Sequence, residues 1–234
     1  MTRLGIVTGL VFEAQVLTGM ARAAGCLDRV RIKASGPGRS RARDAANALL
    51  DEGVDMVLSM GLAGGLDPAL RSGQVIVATA VRSAENRILP VSLDHHRQIM
   101  ATLEQEGLNP VAGDLVEAVV PAASQGAKRA LFRESRAVGV DMESFGVAKA
   151  ANAAGVPFLA LRVIADPADQ EIPQAALLGM RPDGSVRVWP VLRGLMASPG
   201  MIPELLRLGR QSSAAQKVLG RLGQSVFTGF GLRG

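Results

Sequence analysis

Cysteine, histidine, tyrosine and long apolar runs are all scarce in this sequence. Cys26 is the single cysteine, which excludes an intrachain disulfide, a cysteine-cluster zinc site and a CxxC redox pair, and fits a reducing compartment. The two histidines are adjacent, His95 and His96. A three-histidine metal centre is therefore excluded, a Ser-His-Asp triad would have to recruit one of this pair, and no metal site is expected. Aromatic residues make up 3% of the chain and tyrosine is absent, which leaves little for the base-stacking grooves of nucleic-acid enzymes. No stretch of about 18 residues is free of a charge or a breaker. The amino-terminal MTRLGIVTGLVFEAQVL has no uninterrupted apolar run of signal-peptide character before Glu13. The expectation is a cytoplasmic protein, neither secreted nor membrane-spanning.

What the chain does contain is a globular composition: 234 residues, 48% hydrophobic and 20% charged, suit one domain with a sizeable core or at most two small ones. Its charge is uneven. Residues 1–180 carry 18 basic against 19 acidic side chains, whereas 181–234 carry eight against two. The excess positive charge sits in the tail rather than along a groove, so a nucleic-acid partner is not expected.

The run LGIVTGL from Leu4 ends in turn-competent residues, and Glu13 to Ala24 carries helical spacing at Val16, Leu17 and Met20. The strand-then-helix pattern recurs. RVRIKASG precedes an Ala-rich helix from Arg39 to Glu52, the apolar strand VDMVLSMG leads into Gly61, Gly64 and Gly65, and SGQVIVATAVRS precedes a helix from Asp94 to Glu106. A strand around Leu115 to Val120, a helix from Ser124 to Glu134, the strand AVGVDM, the helix ESFGVAKAANAAG and the strand VPFLALRVIAD complete the body. Near-continuous apolar runs indicate strands buried on both faces. The alternation implies a three-layer α/β/α domain around a mixed, largely parallel sheet. Ligands in such sheets gather at the carboxyl ends of strands. Glu13, the 61–65 glycine loop, Asp141, Glu143 and Asp166 fall there. Each acid also has a plainer reading: Glu13 as an exposed first-turn helix acid, Asp141 or Glu143 as a helix cap with Asp141 the better one, and Asp166 before Pro167 as a turn start.

Four segments, GIVTGLVFEAQVL, SMGLAGGL, VGVDMESFGVAKAA and RVIADPAD, resemble in order the landmark segments of the nucleoside phosphorylase and nucleosidase family. The closest arrangement is that of the methylthioadenosine/S-adenosylhomocysteine nucleosidases, and the resemblance runs from Leu4 to about Gln170. It implies an α/β domain over residues 1–180, with 181–234 as a basic amphipathic extension packed on or beside it, and a homo-oligomer. It implies cleavage of the bond between a nucleobase and ribose, without a cofactor, phosphate being a co-substrate if the enzyme is a phosphorylase. In that reaction the sugar becomes oxocarbenium-like while electrons flow into the base, so a site needs negative charge near the ribose and a proton donor near the purine. By resemblance, Glu143 accepts hydrogen bonds from the ribose hydroxyls, Met142 packs on the sugar, Ala63 and Gly64 line the substrate site, and Asp166 protonates or hydrogen-bonds N7 of the purine. A free aspartate titrates near pH ~4, so half-protonation at pH 7 needs a rise of about 3 units, roughly 4 kcal/mol. The apolar LALRVIA before Asp166 suits such burial. Arg162 shares its strand face but lies about 13 Å away, so it need not hold the carboxylate ionised.

By the same resemblance, Glu13 stands where nucleosidases carry the carboxylate that activates water and hexameric phosphorylases an arginine that grips phosphate. Hydrolysis is the reading, with phosphorolysis the alternative. Ser59 and Leu62 replace phosphate ligands of the phosphorylases, and Leu62 also departs from the serine of the nucleosidases. Arg39, Arg41 and Arg43 near a helix start offer either an anion site or a solvated basic helix face. His95 and His96 beside Asp94 suit a surface helix start. Beyond Asp169 the chain is longer than the small nucleosidases. After Pro203 it places Arg207, Arg210, Lys217 and Arg221 on one helical face and Leu205, Leu208, Ala215, Leu219 and Leu222 on another. That pattern suits either peripheral membrane contact or a helix packed on the core with its cations in solvent. The ADPADQEIPQAAL and RPDGSVRVWPVLRGLM segments resemble the hopanoid-associated phosphorylase branch. This implies a 5′-substituted adenosine, adenosylhopane, as substrate, with apolar residues from Leu177 to Met201 forming a channel. The non-enzymatic alternative is a nucleoside- or lipid-binding module on the same fold.

Overall fold

The structure, a computed structural model, describes residues 2–172, 181, 183–185 and 202–232, and of 202–212 the backbone alone. The apolar residues of the proposed channel between Leu177 and Met201 and the side chains of Leu205, Arg207, Leu208 and Arg210 lie outside the described residues.

The elements run β1 (Leu4–Thr8), α1 (Val11–Ala23), β2 (Val30–Ala34), α2 (Arg39–Asp51), β3 (Met56–Gly65), β4 (Val75–Arg82), β5 (Ile88–Pro90), α3 (Leu93–Gln105) and β6 (Val111–Glu117). Then follow α4 (Gln125–Ser135), β7 (Gly139–Asp141), α5 (Ser144–Ala154), β8 (Phe158–Asp166) and α6 (Ile202–Gly229). The eight strands form one mixed sheet. β1 pairs in parallel with β2 and β3, extending one edge. β3, β8, β4, β6 and β7 pair in succession and β7 returns antiparallel to β3, so these five strands close into a small barrel.

Period-two alternation sorts the strand side chains between two cores. Leu4 and Ile6, Met56, Leu58 and Met60, and Leu159, Leu161 and Val163 face α1, α3 and α6. Val7, Val57, Phe158, Ala160 and Ile164 face α2 and α5 across the sheet. Three layers result, as the alternating strand and helix pattern requires. α6 packs against α1, α3 and β8, burying Ala215, Leu219, Leu222, Val226 and Phe227, while Lys217 and Arg221 are exposed.

One expected strand is shifted. Pairing ends at Glu117 rather than near Val120, and Val119 and Val120 are 74% and 70% exposed. Pro121 cannot continue a ladder, and Arg39 of α2 holds the Glu117 carboxylate at the strand's end. The β3–β8 register matters most for function. Pairs run in step from Val57 with Phe158 to Ala63 with Ile164, then a bulge skips Ala165 and sets Asp166 opposite Gly64.

Candidate active site

Glu13 lies in the first turn of α1, 2% exposed. One carboxylate oxygen accepts from Leu10 N–H at 2.9 Å, the other from Leu62 N–H at 2.8 Å. The first bond caps α1 and the second ties the helix to β3. Burial raises its carboxyl above the ordinary value, and the Leu62 and Leu10 amides pull it back. The exposed first-turn reading is therefore not what the fold shows. Leu62, which has no side-chain polar group, serves the site through its backbone N–H.

Glu143 sits between β7 and α5. Its Oε1 accepts from Gly38 N–H at 3.3 Å, its Oε2 from Met142 N–H at 3.4 Å, and Arg162 Nη2 stands 3.9 Å from Oε2. Burial raises its carboxyl most, the adjacent Asp141 charge adds to this, and Arg162 opposes both. Asp141 caps α5: Oδ1 accepts from the N–H groups of Glu143 and Ser144, and Oδ2 from the Ser144 hydroxyl. That Oδ2 also pairs with Arg162 Nη2 at 2.6 Å, and Arg162 donates to Ser59 Oγ at 2.7 Å. Arg162 is 1% exposed. It is committed to Asp141 rather than to Asp166.

Asp166 closes β8. Its partner is Lys128 of α4, a fully buried lysine whose Nζ stands 2.6 Å from Oδ2. Burial raises the Asp166 carboxyl and the Lys128 charge lowers it.

The three acids converge. Glu13, Glu143 and Asp166, together with Ala63, Gly64 and Met142, line one cavity of about 210 Å³, whose other walls include Leu10, Pro37, Leu62, Pro121, Ala122 and Ile172. Each acid rests on a glycine. A Cβ at Gly61 would stand 2.8 Å from Glu13 Oε1, one at Gly9 2.9 Å from Glu143 Cδ, and one at Gly64 3.2 Å from Asp166 Oδ2. A second cleft of about 860 Å³ adjoins the cavity and shares Pro37, Ala118, Pro121 and Met142 with it. Arg181 and Gly184 reach this edge, where Gly184 C=O accepts from Val11 N–H at 3.0 Å and Arg181 lines the cleft.

The basic segment after Gly38 lies beside the cavity with its charges engaged. Arg39 pairs with Glu117 and Glu85 and stacks 5.1 Å over Phe145, Arg41 donates to Pro37 C=O, and Arg43 pairs with Asp44. His95 accepts or donates to Ser92 Oγ at the start of α3 and lies 5.7 Å from the Phe230 ring, away from the cavity. Two functional-site neighbours escaped sequence reasoning. Lys128 in AKRALFRES looks like one more cation of a surface helix beside Arg129 and Arg133, and the Arg162–Asp141 pairing needs the fold of three strands.

Three buried acids brought together in one cavity suit a glycosidic-bond enzyme. The chain belongs to the Phosphorylase superfamily, whose family model matches residues 19–180, and it is an N-ribosyl hydrolase or nucleoside phosphorylase. A futalosine hydrolase of Streptomyces coelicolor is 31% identical over 195 residues, 73% of this chain and 76% of the relative. A 5′-methylthioadenosine/S-adenosylhomocysteine nucleosidase of Glaesserella parasuis is 24% identical over 72% of this chain and 87% of its own length. Among solved structures, the Helicobacter pylori nucleosidase of the same name superposes with a TM-score of 0.68 at 18% identity, covering 95% of this chain and 97% of that one. The futalosine hydrolase of H. pylori gives a TM-score of 0.64 at 19% identity over 71% and 88%.

Proposed function

We propose that the chain hydrolyses the N-glycosidic bond of a 5′-substituted adenosine and releases adenine. The observation that carries this reading is the convergence of Glu13, Glu143 and Asp166 on one cavity. Glu13 takes a proton from water as its oxygen bonds to the anomeric carbon, and Glu143 holds the ribose hydroxyls. The electron pair of the broken bond passes into the purine, and Asp166 delivers a proton to N7. No cofactor enters this scheme. Among the described residues that line the cavity none is a lysine or arginine. A phosphate dianion there would meet carboxylates, each unit of like charge costing about 4 kcal/mol at about 4 Å and an effective dielectric near 20. This supports hydrolysis over phosphorolysis.

The finer reading of the substrate is adenosylhopane, giving ribosylhopane in hopanoid biosynthesis. The apolar walls of Leu10, Pro37, Leu62, Pro121, Ala122 and Ile172 and the adjoining open cleft support a bulky apolar 5′ group. Exposed Val119, which lines the adjoining cleft, and its exposed neighbour Val120 support a homo-oligomer that completes the site. Exposed Lys217 and Arg221 on α6 support peripheral contact with an anionic membrane. Among the described residues no helix is long and apolar enough to cross a membrane.

The test is incubation of the purified chain with adenosylhopane, methylthioadenosine, futalosine and adenosine in parallel, with and without phosphate, following the free base. Phosphate-independent adenine release, fastest from adenosylhopane, is expected. An absolute phosphate requirement overturns the role given to Glu13, and release from none of the adenosines overturns the activity.

A further inference from the structure

Lys128 is a buried cation beside the site to which the reaction scheme has given no task. Its side chain is fully buried, and its Nζ donates to three backbone carbonyls, those of Asp166 at 3.2 Å, Pro167 at 2.7 Å and Gln170 at 2.9 Å. An ammonium has three protons. These contacts direct the ammonium at the turn that follows β8, and the same Nζ stands 2.6 Å from Asp166 Oδ2, pairing with the carboxylate itself.

The same turn is stitched to α4 at two further points. Gln125 Nε2 donates to Asp169 C=O at 2.8 Å, and Ile172 N–H donates to Ala123 C=O at 2.8 Å. These bonds fasten the turn at points other than Lys128. A buried cation is costly to desolvate, and among the described residues the one charge it faces at contact distance is that of Asp166.

We propose that Lys128 is the positioning residue of the leaving-base site, fixing the Asp166 carboxyl in place and supplying the countercharge for the carboxylate that forms as its proton passes to the purine. This rests on the activity proposed above. In that step the Asp166 O–H bond breaks, the N7–H bond forms, and the glycosidic electron pair enters the ring. Asp166 changes from neutral to anionic beside a fixed cation, so Lys128 favours the transition state over the ground state. Without it, burial alone would keep the carboxyl protonated and a poor proton donor. Lys128 is the charged side chain in contact with Asp166. From the neighbouring strands Gly64 lies against Asp166 with Val140 beside it, and the remaining ionisable residues of the cavity are Glu13, Asp141 and Glu143.

The experiment uses the full chain with Lys128→Met and, in case that variant does not fold, Lys128→Gln, whose amide keeps two N–H donors for the turn. Two quantities are read: the titration midpoint of the Asp166 carboxyl, from its ¹³C resonance identified against Asp166→Asn, and the pH profile of adenine release. Loss of the cation is expected to move the midpoint and the alkaline limb upward together by at least about one pH unit, and to lower kcat at neutral pH about 10- to 100-fold with KM nearly unchanged. An unmoved midpoint in a folded neutral variant overturns the proposal, as does a loss of activity with both pH readouts in place, which would mark Lys128 as a structural fastener. The carboxyl titration needs no substrate. If the wild-type chain released no adenine, the enzyme reading would fall while the Lys128–Asp166 coupling would still be decided.

Discussion

Replacing Gly61 by alanine isolates the placement of Glu13 from its chemistry. The new Cβ would stand 2.8 Å from Oε1 and 2.9 Å from both Cδ and Oε2, while ordinary contact begins at 3.4 Å. The carboxylate must therefore retreat by about 0.6 Å, stretching the bond from the neighbouring Leu62 N–H. The obstacle is the far end of a flexible side chain rather than backbone, so the fold can accept the methyl group. A misplacement near 1 Å costs about 100-fold in a positioned reaction, so kcat for adenine release should fall about 10- to 100-fold. The weakened hydrogen bond is worth about 1.5–3 kcal/mol, so Tm should fall by less than about 10 °C. Stopped-time chromatography of adenine from the best-cleaved substrate, beside thermal unfolding, reads both. Gly126→Ala is the control, since its Cβ would meet nothing nearer than Ser124 Oγ at 3.8 Å. A Gly61→Ala enzyme with wild-type kcat would refute the assignment of Glu13 as the group that activates water.

Asp166→Asn keeps the shape and removes the transferable proton, so kcat should fall about 100- to 10,000-fold while KM shifts little; an unchanged kcat removes Asp166 from the chemistry. Arg162→Met leaves Asp141 buried without its partner and should cost about 3–5 kcal/mol in urea unfolding, and a loss below about 1 kcal/mol would show that the pair is not needed. Glu143 has its folded pKa raised above its ordinary 4.5, by burial first and then by Asp141. Its favourable contribution is complete below that ordinary value and is lost as pH rises through the folded one. Glu143→Gln should therefore gain stability relative to wild type on going from pH 5 to pH 8, and a constant difference in urea midpoint would contradict the raised pKa. Truncation after residue 200 would strip buried Leu219, Leu222 and Phe227 from the core, so membrane contact is better tested by Lys217→Glu with Arg221→Glu, which should sediment less with anionic vesicles. Equal sedimentation removes that reading.

The layer order and most element positions could be read from the chain because they depend on local periodicity. Continuous apolar runs such as VDMVLSMG and LALRVIAD can be satisfied only as strands covered on both faces. Asp166, Glu143 and Glu13 were legible as strand-end or helix-start acids for the same reason. The exposed end beyond Glu117 was not, since Val119 and Val120 have the composition of a strand and lack only a partner.

Partnership and burial are long-range quantities, and they came from the closed barrel. The bulge that skips Ala165 turns Asp166 toward Gly64, and α4 crosses over that point to deliver Lys128 from 38 residues away. Neither event leaves a local pattern, because a lysine on a solvent face and a lysine beneath an acid have the same neighbours in sequence. Hydrophobic spacing could say which residues would be inside. Which buried charge would meet which, and so which acid could carry a proton, depended on how the strands close.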